Sequence, residues 1–182
     1  MIYSRIRRRR ASALTNYRKR IALLKSRMPR LVARKTNRGI ILQIINYEKD
    51  GDRVIASVNS KELKTIGWSP RGNIPTAYLS GMLLAKKAKS LSIGKLVLDT
   101  GLARPSKFNA LFAAAKGCSD NGINVINSIE FDENRLSGKH IASYAKSVNK
   151  EATRFSKYYK ENFDPKQMDL LFEQAKNRIK SG

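Results

Sequence analysis

The sequence predicts an α/β protein, and three observations lead to that fold class. Residues 31–60 contain three short segments of β-branched or alternating apolar residues, and their short connections are typical of consecutive antiparallel strands. Residues 75–91 and 106–122 have the apolar spacing of helices, and a short apolar strand pattern lies between them at residues 95–101. We therefore expect a three-stranded antiparallel start, one or more further strands and two packing helices.

The antiparallel strands are predicted at residues 31–36, 39–47 and 53–60, and a last short strand is predicted at residues 123–126. The second strand is strongly β-branched, which suits a pleated surface. The Lys-Asp-Gly-Asp sequence that follows it is a hairpin turn signal, in which Gly51 supplies a positive φ.

The two predicted helices carry boundary signals. Pro75 lies in the first turn of the first helix, and small residues such as Gly81 give that helix a face suited to lying close on a sheet. Ser106 is the predicted cap of the second helix, and Gly122 is its predicted end. The inward-facing residues expected on the second helix are Leu111, Phe112, Ala115 and Cys118.

Repeated Gly and Pro residues predict a loop between residues 61 and 78. Trp68, the only tryptophan, lies there beside Arg71 and Asn73. In one interpretation its ring stacks on a nucleic-acid base. In the other it fills a core or a partner protein, and the sequence leaves both open.

Charge is concentrated at the N-terminus. The first 38 residues contain fourteen of the 37 Lys and Arg and none of the 14 Asp and Glu, in a chain of net charge +23. Because like charges repel, a polyanion is the expected partner of this segment. Interspersed polar residues favour nucleic acid over a membrane surface, and no apolar run approaches the ~20 residues of a membrane span.

The basic segment has two parts. Residues 1–12 cannot bury enough apolar surface to fold alone, so we interpret them as an arm that orders on a partner, the alternative being a solvated tail. Residues 13–28 predict a helix that packs on its own domain and turns a basic face to RNA, and Pro29 is expected to stop it. The apolar stripe of this helix is Leu14, Tyr17, Ile21, Leu24 and Met28.

Beyond residue 130 the pattern changes to short polar helices at 137–148, 151–159 and 165–179, the last capped by Asp164. Two interpretations are open. These helices pack on neighbouring protein or RNA with little core of their own, or they form a helical cap on the domain itself.

The expected organisation therefore has three parts. Residues 1–28 are the basic arm and helix, residues 29–129 are an α/β RNA-binding core, and residues 130–182 are a helical C-terminal extension.

Little in the sequence points to catalysis. Cys118 and His140 are each alone in their residue type, which excludes zinc fingers and a disulfide framework and fits a reducing, cytosolic setting. No phosphate-loop or dinucleotide motif is present, so we expect no cofactor, metal or catalytic residue. Asp99 ends the apolar strand, where a nuclease carboxylate is often placed, but two-metal chemistry needs several carboxylates in one place. We interpret Asp99 as a capping or loop-orienting residue.

Six blocks of the chain, in order over about 130 residues, resemble the archaeal and eukaryotic branch of the large-subunit ribosomal protein eighteen family, the 5S rRNA-binding proteins. The blocks are TNYRKR (15–20), LLKSRMPRLVARKTNRGIILQII (23–45), GWSPRGNIPTAYLSG (67–81), LDTGLARP (98–105), FAAAKG (112–117) and GKHIASYA (138–145).

The resemblance implies an α/β core, with a basic N-terminal helix and arm that lie on 5S rRNA. It also implies three kinds of partner in the cytoplasmic ribosome: 5S rRNA, large-subunit rRNA and neighbouring large-subunit proteins, with no membrane. The alternatives are a metal-dependent nuclease of RNase H-like form that uses Asp99, and an RNA-binding module outside the ribosome.

The candidate RNA-binding residues come from two sources. The resemblance implies contacts at Asn16, Tyr17, Arg18, Arg20, Arg34, Lys35, Asn37, Arg38, Arg71 and Asn73. The charge pattern and the single tryptophan add Arg7, Arg8, Arg9, Arg10, Lys25, Arg27 and Trp68.

Overall fold

The structure is a computed structural model, which describes residue 6 and residues 8–104, 106, 108–126, 131–148 and 155–181. Half of the predicted N-terminal arm (residues 1–5 and Arg7) and residues 151–154 of the predicted 151–159 helix lie outside the described residues.

A five-stranded mixed sheet forms the centre, and it confirms the predicted α/β class. The antiparallel part has the order β3-β2-β1, as predicted, and β1 also pairs in parallel with β4, which pairs in parallel with β5. The strands are β1 (Arg30–Lys35), β2 (Ile40–Glu48), β3 (Gly51–Asn59), β4 (Lys95–Asp99) and β5 (Asn124–Ile126). Parallel neighbours need a crossover connection, and the two long helices provide those crossovers.

The predicted hairpin joins β2 to β3. Residues 49–50 form its turn, and Gly51 opens β3 with a φ of 150°. The register shifts between Ile44 and Ile45, so that Ile55 is an extra residue on β3. This bulge bends the strand, which lies at the outer edge of the sheet.

The two long helices form as predicted, with one corrected start. The first, α3 (Ile74–Ser90), has Pro75 in its first turn. The second, α4 (Ala110–Asp120), begins four residues after the predicted cap at Ser106, because Asn109 accepts hydrogen bonds from the backbone N–H groups of the first turn. Gly122, with a φ of 86°, follows its end as predicted.

Helices α3 and α4 make their closest backbone contact at two glycines. A Cβ on Gly81 would lie 2.1 Å from the Ala114 carbonyl oxygen, and a Cβ on Gly117 would lie 2.2 Å from the Tyr78 carbonyl oxygen. The sequence placed the small-residue face of α3 against the sheet, but at Gly81 the close neighbour is α4. Only glycine permits backbones to approach this closely.

The N-terminal helix is shorter than predicted. One turn, α1 (Arg8–Ala11), precedes α2 (Tyr17–Leu24), whose start is fixed by the Asn16 side chain accepting from the Lys19 N–H. Pro29 does not stop it, because the chain has already left helical geometry at Arg27, where φ is 54°. The predicted apolar stripe is not buried either.

A 3₁₀ helix at Ser60–Ile66 replaces the first part of the predicted loop. Asn59 and Glu62 form a reciprocal capping box at its start, and Gly67 ends it in left-handed geometry. The remaining residues, 67–73, form the loop that leads into α3.

The C-terminal helices cap the domain itself. They are α5 (Glu133–Ser137), α6 (Lys139–Ser147), α7 (Ser156–Lys160) and α8 (Met168–Ser181), with a 3₁₀ turn at Pro165–Gln167. Gly138, with a φ of 83°, divides the predicted 137–148 helix from α5. Their buried apolar residues join the same core as the sheet, so the interpretation that they have little core of their own is wrong.

Trp68 lies at the centre of that shared core. Its side chain is 1% exposed, and its ring meets Phe163 and Phe172 edge to face, at centroid distances of 5.3 and 6.2 Å. The indole N–H donates to the Thr76 hydroxyl at 3.0 Å. The core interpretation of Trp68 is therefore the one that the structure supports.

Among the described helices, none combines the length and the apolar character that crossing a membrane requires.

Candidate RNA interface

The described part of the arm presents exposed cations. Arg8, Arg9 and Arg10 all lie on the surface of α1, which buries no residue. The Arg9 Nε–H donates to the Thr15 hydroxyl at 2.9 Å, which ties α1 to the segment before α2. The fourth arginine of this cluster, Arg7, lies outside the described residues.

Helix α2 also buries no residue. Asn16 is its cap, so this predicted contact has a structural role as well. The remaining predicted contacts on and after the helix differ in exposure: Arg18, Lys25 and Arg27 are exposed, while Tyr17 and Arg20 are half-buried.

Polar contacts hold α2 to the body of the protein. The Lys19 ammonium donates to the Thr100 hydroxyl at 3.0 Å and to the Gly101 carbonyl at 3.1 Å. The Arg20 guanidinium donates to Asp52 on the hairpin at 2.9 Å.

A groove of about 440 Å³ lies between α2 and one face of the sheet. Side chains alternate along a strand. Thus Leu31 and Ala33 of β1 face the core, while Arg30, Val32 and Arg34 face the groove. The cations that line it are Arg9, Lys19, Arg20, Arg30, Arg34 and Lys35, and the acidic residues are Asp52 and Asp99.

Arg30 lies at the base of this groove and is 3% exposed. Its two terminal nitrogens form ion pairs with Asp52 at 2.8 Å and with Asp99 at 3.0 Å. A buried guanidinium needs such partners, because an unpaired buried charge is costly.

Asp99 orients the loop after β4, as the sequence predicted. Its carboxylate accepts from the Gly101 N–H at 2.8 Å, and the Arg34 guanidinium donates to its backbone carbonyl at 2.8 Å. Within the described ranges, no three His, Cys, Asp or Glu residues are grouped closely enough to hold a metal ion. The nuclease alternative is not favoured.

The turn between β1 and β2 extends the cationic surface. Lys35, Asn37 and Arg38 are exposed there. Gly72 of the 67–73 loop passes beside this turn, since a Cβ on it would lie 3.4 Å from both the Lys35 Cε and the Thr36 carbonyl oxygen. Lys35 and Asn37 of the turn and Gly72 of the loop therefore border a common open cleft.

Two candidates in the 67–73 loop are engaged with the C-terminal helices. Arg71 donates to the Lys157 carbonyl at 2.9 Å and to Glu161 at 3.0 Å, and it lies 4.9 Å over the Tyr158 ring. Asn73 caps α3 and donates to the Tyr158 hydroxyl at 3.1 Å. Both side chains brace the C-terminal cap.

The same cluster shifts two pKa values. The hydrogen bond from Ser69 to Glu161, together with the charges of Arg71 and Lys64, outweighs partial desolvation and lowers the pKa of that carboxyl. Burial raises the pKa of Tyr158 to about 12, although the charge of Arg71 opposes this shift. Both groups therefore hold their ordinary charge at neutral pH.

Trp68 does not belong to this surface. With 1% of its side chain exposed, no ring face is open for a base to stack on. A single tryptophan next to arginine and asparagine is compatible with a core position and with base stacking, so the sequence pattern alone did not distinguish the two.

Sequence reasoning missed Lys19, Arg30 and Asp52. Arg30 did carry a signal, because it is a charged residue directly before the apolar run Leu31–Ala33 of β1. Lys19 and Asp52 had none, since each was one charge in a run of charged residues.

Comparison with known proteins identifies the family. Residues 3–96 match the family described as ribosomal large subunit proteins 60S L5 and 50S L18. Large ribosomal subunit protein uL18 of Korarchaeum cryptofilum is 46% identical over 178 residues, covering 94% of this chain and 91% of that protein. Its counterpart in Ignicoccus hospitalis is 42% identical over 181 residues, covering 95% of this chain and 89% of that protein. Since these matches extend over nearly the whole of both chains, this protein belongs to the L5 and L18 family of ribosomal large-subunit proteins.

Proposed function

We propose that this protein, a structural constituent of the large ribosomal subunit, binds 5S rRNA and helps to attach it to the large-subunit rRNA in the cytoplasmic ribosome. Neighbouring large-subunit proteins are further partners. Two relatives that align with nearly the full length of this chain are named large ribosomal subunit proteins, which supports the ribosomal assignment.

The observation that carries the RNA proposal is a surface on which exposed cations far outnumber the acidic residues, which are Asp52 and Asp99 of the adjoining groove. The first 38 residues contain no Asp or Glu. The exposed cations among them, where described, are Arg8, Arg9, Arg10, Arg18, Lys25, Arg27, Arg34, Lys35 and Arg38. A surface of this kind is expected to neutralise phosphates and to release their counterions.

The mechanism is binding without turnover. Double-helical RNA hides its base edges in a deep, narrow groove, so this surface reads mainly shape and backbone. Arg guanidinium groups make directional, bidentate contacts with phosphate oxygens. We retain Tyr17 and Asn37 as proposed contacts beside them.

A salt titration tests the proposal. If six or more phosphates are engaged, affinity for 5S rRNA falls about 10³-fold or more between 50 and 200 mM salt. Filter binding with 5S rRNA, and with an unrelated RNA of equal length as control, measures this dependence. A flat salt response, or equal affinity for both RNAs, contradicts the proposal.

Co-sedimentation separates the ribosomal protein from an RNA-binding module outside the ribosome. The protein is expected to sediment with large subunits through a salt gradient, and RNA crosslinked to it is expected to be 5S rRNA and large-subunit rRNA. Crosslinking mainly to other RNAs contradicts the ribosomal proposal.

A further inference from the structure

The attachment of α2 has an unusual chemical basis, because no residue of the helix is buried. Ile21 on the helix is 54% exposed, and Leu14 just before it is 61% exposed. An isolated helix of eight residues is marginal in water. Its apolar residues Leu23 and Leu24 are only half-buried, so polar contacts are expected to contribute to holding it in place.

Two polar anchors do so. Lys19 donates to the loop after β4, and Arg20 donates to Asp52 on the β2–β3 hairpin. The anchors lie on neighbouring positions of the helix, but they attach to elements separated by about a quarter of the chain. Two separate attachment points fix the rotation of a helix as well as its position.

Asp52 is itself held in place. The same carboxylate oxygen that accepts from Arg20 lies 2.8 Å from the buried Arg30. Arg30 pairs in turn with Asp99, which accepts from the N–H of Gly101, the residue whose carbonyl accepts from Lys19. Both anchors therefore belong to one network of charges and hydrogen bonds that continues into the sheet.

We infer that Asp52 is a positioning residue for RNA binding, which holds α2 through Arg20 so that the exposed cations Arg18, Lys25 and Arg27 face the RNA. This inference rests on the proposed function. It assigns Arg20 to the anchor, whereas the resemblance implied that Arg20 contacts RNA.

Simple electrostatics predicts the opposite effect for the same residue. An acidic side chain in a surface that binds a polyanion repels phosphate, so its removal should strengthen binding. If Asp52 positions α2, its removal weakens binding, although the net positive charge of the protein rises. Asp50, an exposed acidic residue in the turn of the same hairpin, has no such contact described and provides the matched control.

The test compares Asp52→Asn, Asp52→Glu and Asp50→Asn with the wild-type protein. If the docked fraction of α2 falls to about one fifth, Asp52→Asn weakens 5S rRNA binding about fivefold. Asp52→Glu, which keeps the carboxylate, restores most of the affinity, and Asp50→Asn binds as tightly as wild type or more tightly. Hydrogen exchange of the free protein shows faster exchange of the α2 amides in Asp52→Asn alone.

A double-mutant cycle separates positioning from a purely structural role, in which Asp52 only neutralises Arg30. In an Arg20→Gln background, Asp52→Asn is expected to cause no further loss of affinity, because the anchor is already gone. If Asp52→Asn weakens binding equally in both backgrounds, or if Asp52→Asn binds as tightly as Asp50→Asn, the inference is overturned.

The two proposals fail in different ways. If the wild-type protein does not select 5S rRNA, the proposed function fails, and the anchor is then judged by exchange alone. In that case, α2 amides that exchange equally slowly in Asp52→Asn and in wild type overturn the anchor as well.

Discussion

The two ends of this chain attach to the same domain by different physical means. Helix α2 near the N-terminus buries no residue and is held by Lys19 and Arg20. Helix α8 near the C-terminus buries four residues, and one of them, Phe172, packs on Trp68. Electrostatic contacts at an exposed surface weaken with salt, whereas apolar burial does not. The attachment of the N-terminal end is therefore expected to depend on salt, whereas the C-terminal end is part of the fold.

Deletion of each end in turn should give the largest expected difference between an effect on RNA affinity and an effect on stability. Removal of residues 1–28 should reduce 5S rRNA affinity to the non-specific level, about 10³-fold or more, with little change in the thermal melting of the remainder, because no residue of α1 or α2 is fully buried. Removal of residues 165–182 should instead abolish cooperative melting, since Met168 and Phe172 leave the core. A truncation of residues 1–28 that fails to melt cooperatively would show that α2 is part of the core.

The aromatic contact itself gives the next largest effect. Trp68→Ala removes the largest fully buried side chain and should lower the free energy of unfolding by about 3–5 kcal/mol. Chemical denaturation measures this loss. At low temperature, where the variant remains folded, its affinity for 5S rRNA should match that of wild type, and a specific loss of affinity would contradict the core role.

The glycine crossing of α3 and α4 tests the rigidity of the shared core. Gly81→Ala places a methyl group against the Ala114 carbonyl oxygen and should cost about 1–3 kcal/mol of stability, because the two helices must separate. Gly94→Ala is the matched control, since a Cβ there meets nothing within 4 Å. Equal melting temperatures for the two variants would show that the crossing relaxes without cost.

The smallest expected effect is a pH response at the C-terminal cap. The pKa of Glu161 in the folded protein lies below its ordinary value of 4.5, so its carboxylate stabilises the fold above that value. This contribution is lost as pH falls through the folded pKa. Fluorescence of Trp68, which packs on Phe163 two residues after Glu161, should report loosening of the cap as the pH falls below 4.5 and then through the lower folded pKa. Glu161→Gln should remove most of this acid response. The structure of the N-terminal half should be the same in this variant as in wild type.

Much of the fold was predictable because its signals are local. The hairpin before Gly51, the start of α3 at Pro75 and the end of α4 before Gly122 each depend on the backbone preference of one residue. The pattern that predicted a helix over 13–28 is local too, but it gave the wrong length, since an apolar spacing of three and four does not show whether those residues are buried.

The candidate site was only partly predictable for a related reason. Exposed cations such as Arg18 and Arg38 follow from charge alone. The engagement of Arg71 with Glu161 depends on contact between residues 90 positions apart, which one sequence does not show. The pairing of Arg30 with both Asp52 and Asp99 also joins residues that are distant in the sequence, so it could not be predicted from the sequence alone.

The bulge at Ile55 has a consequence for the protein before it joins its subunit. A nine-residue strand at the rim of a sheet offers unpaired N–H and C=O groups to any other extended chain, which is a common start of aggregation. The local bend, together with Asp52 and Arg53 near the hairpin tip, makes a poor template for such pairing. The rim of the sheet is thereby a less favourable site for pairing with a second extended chain.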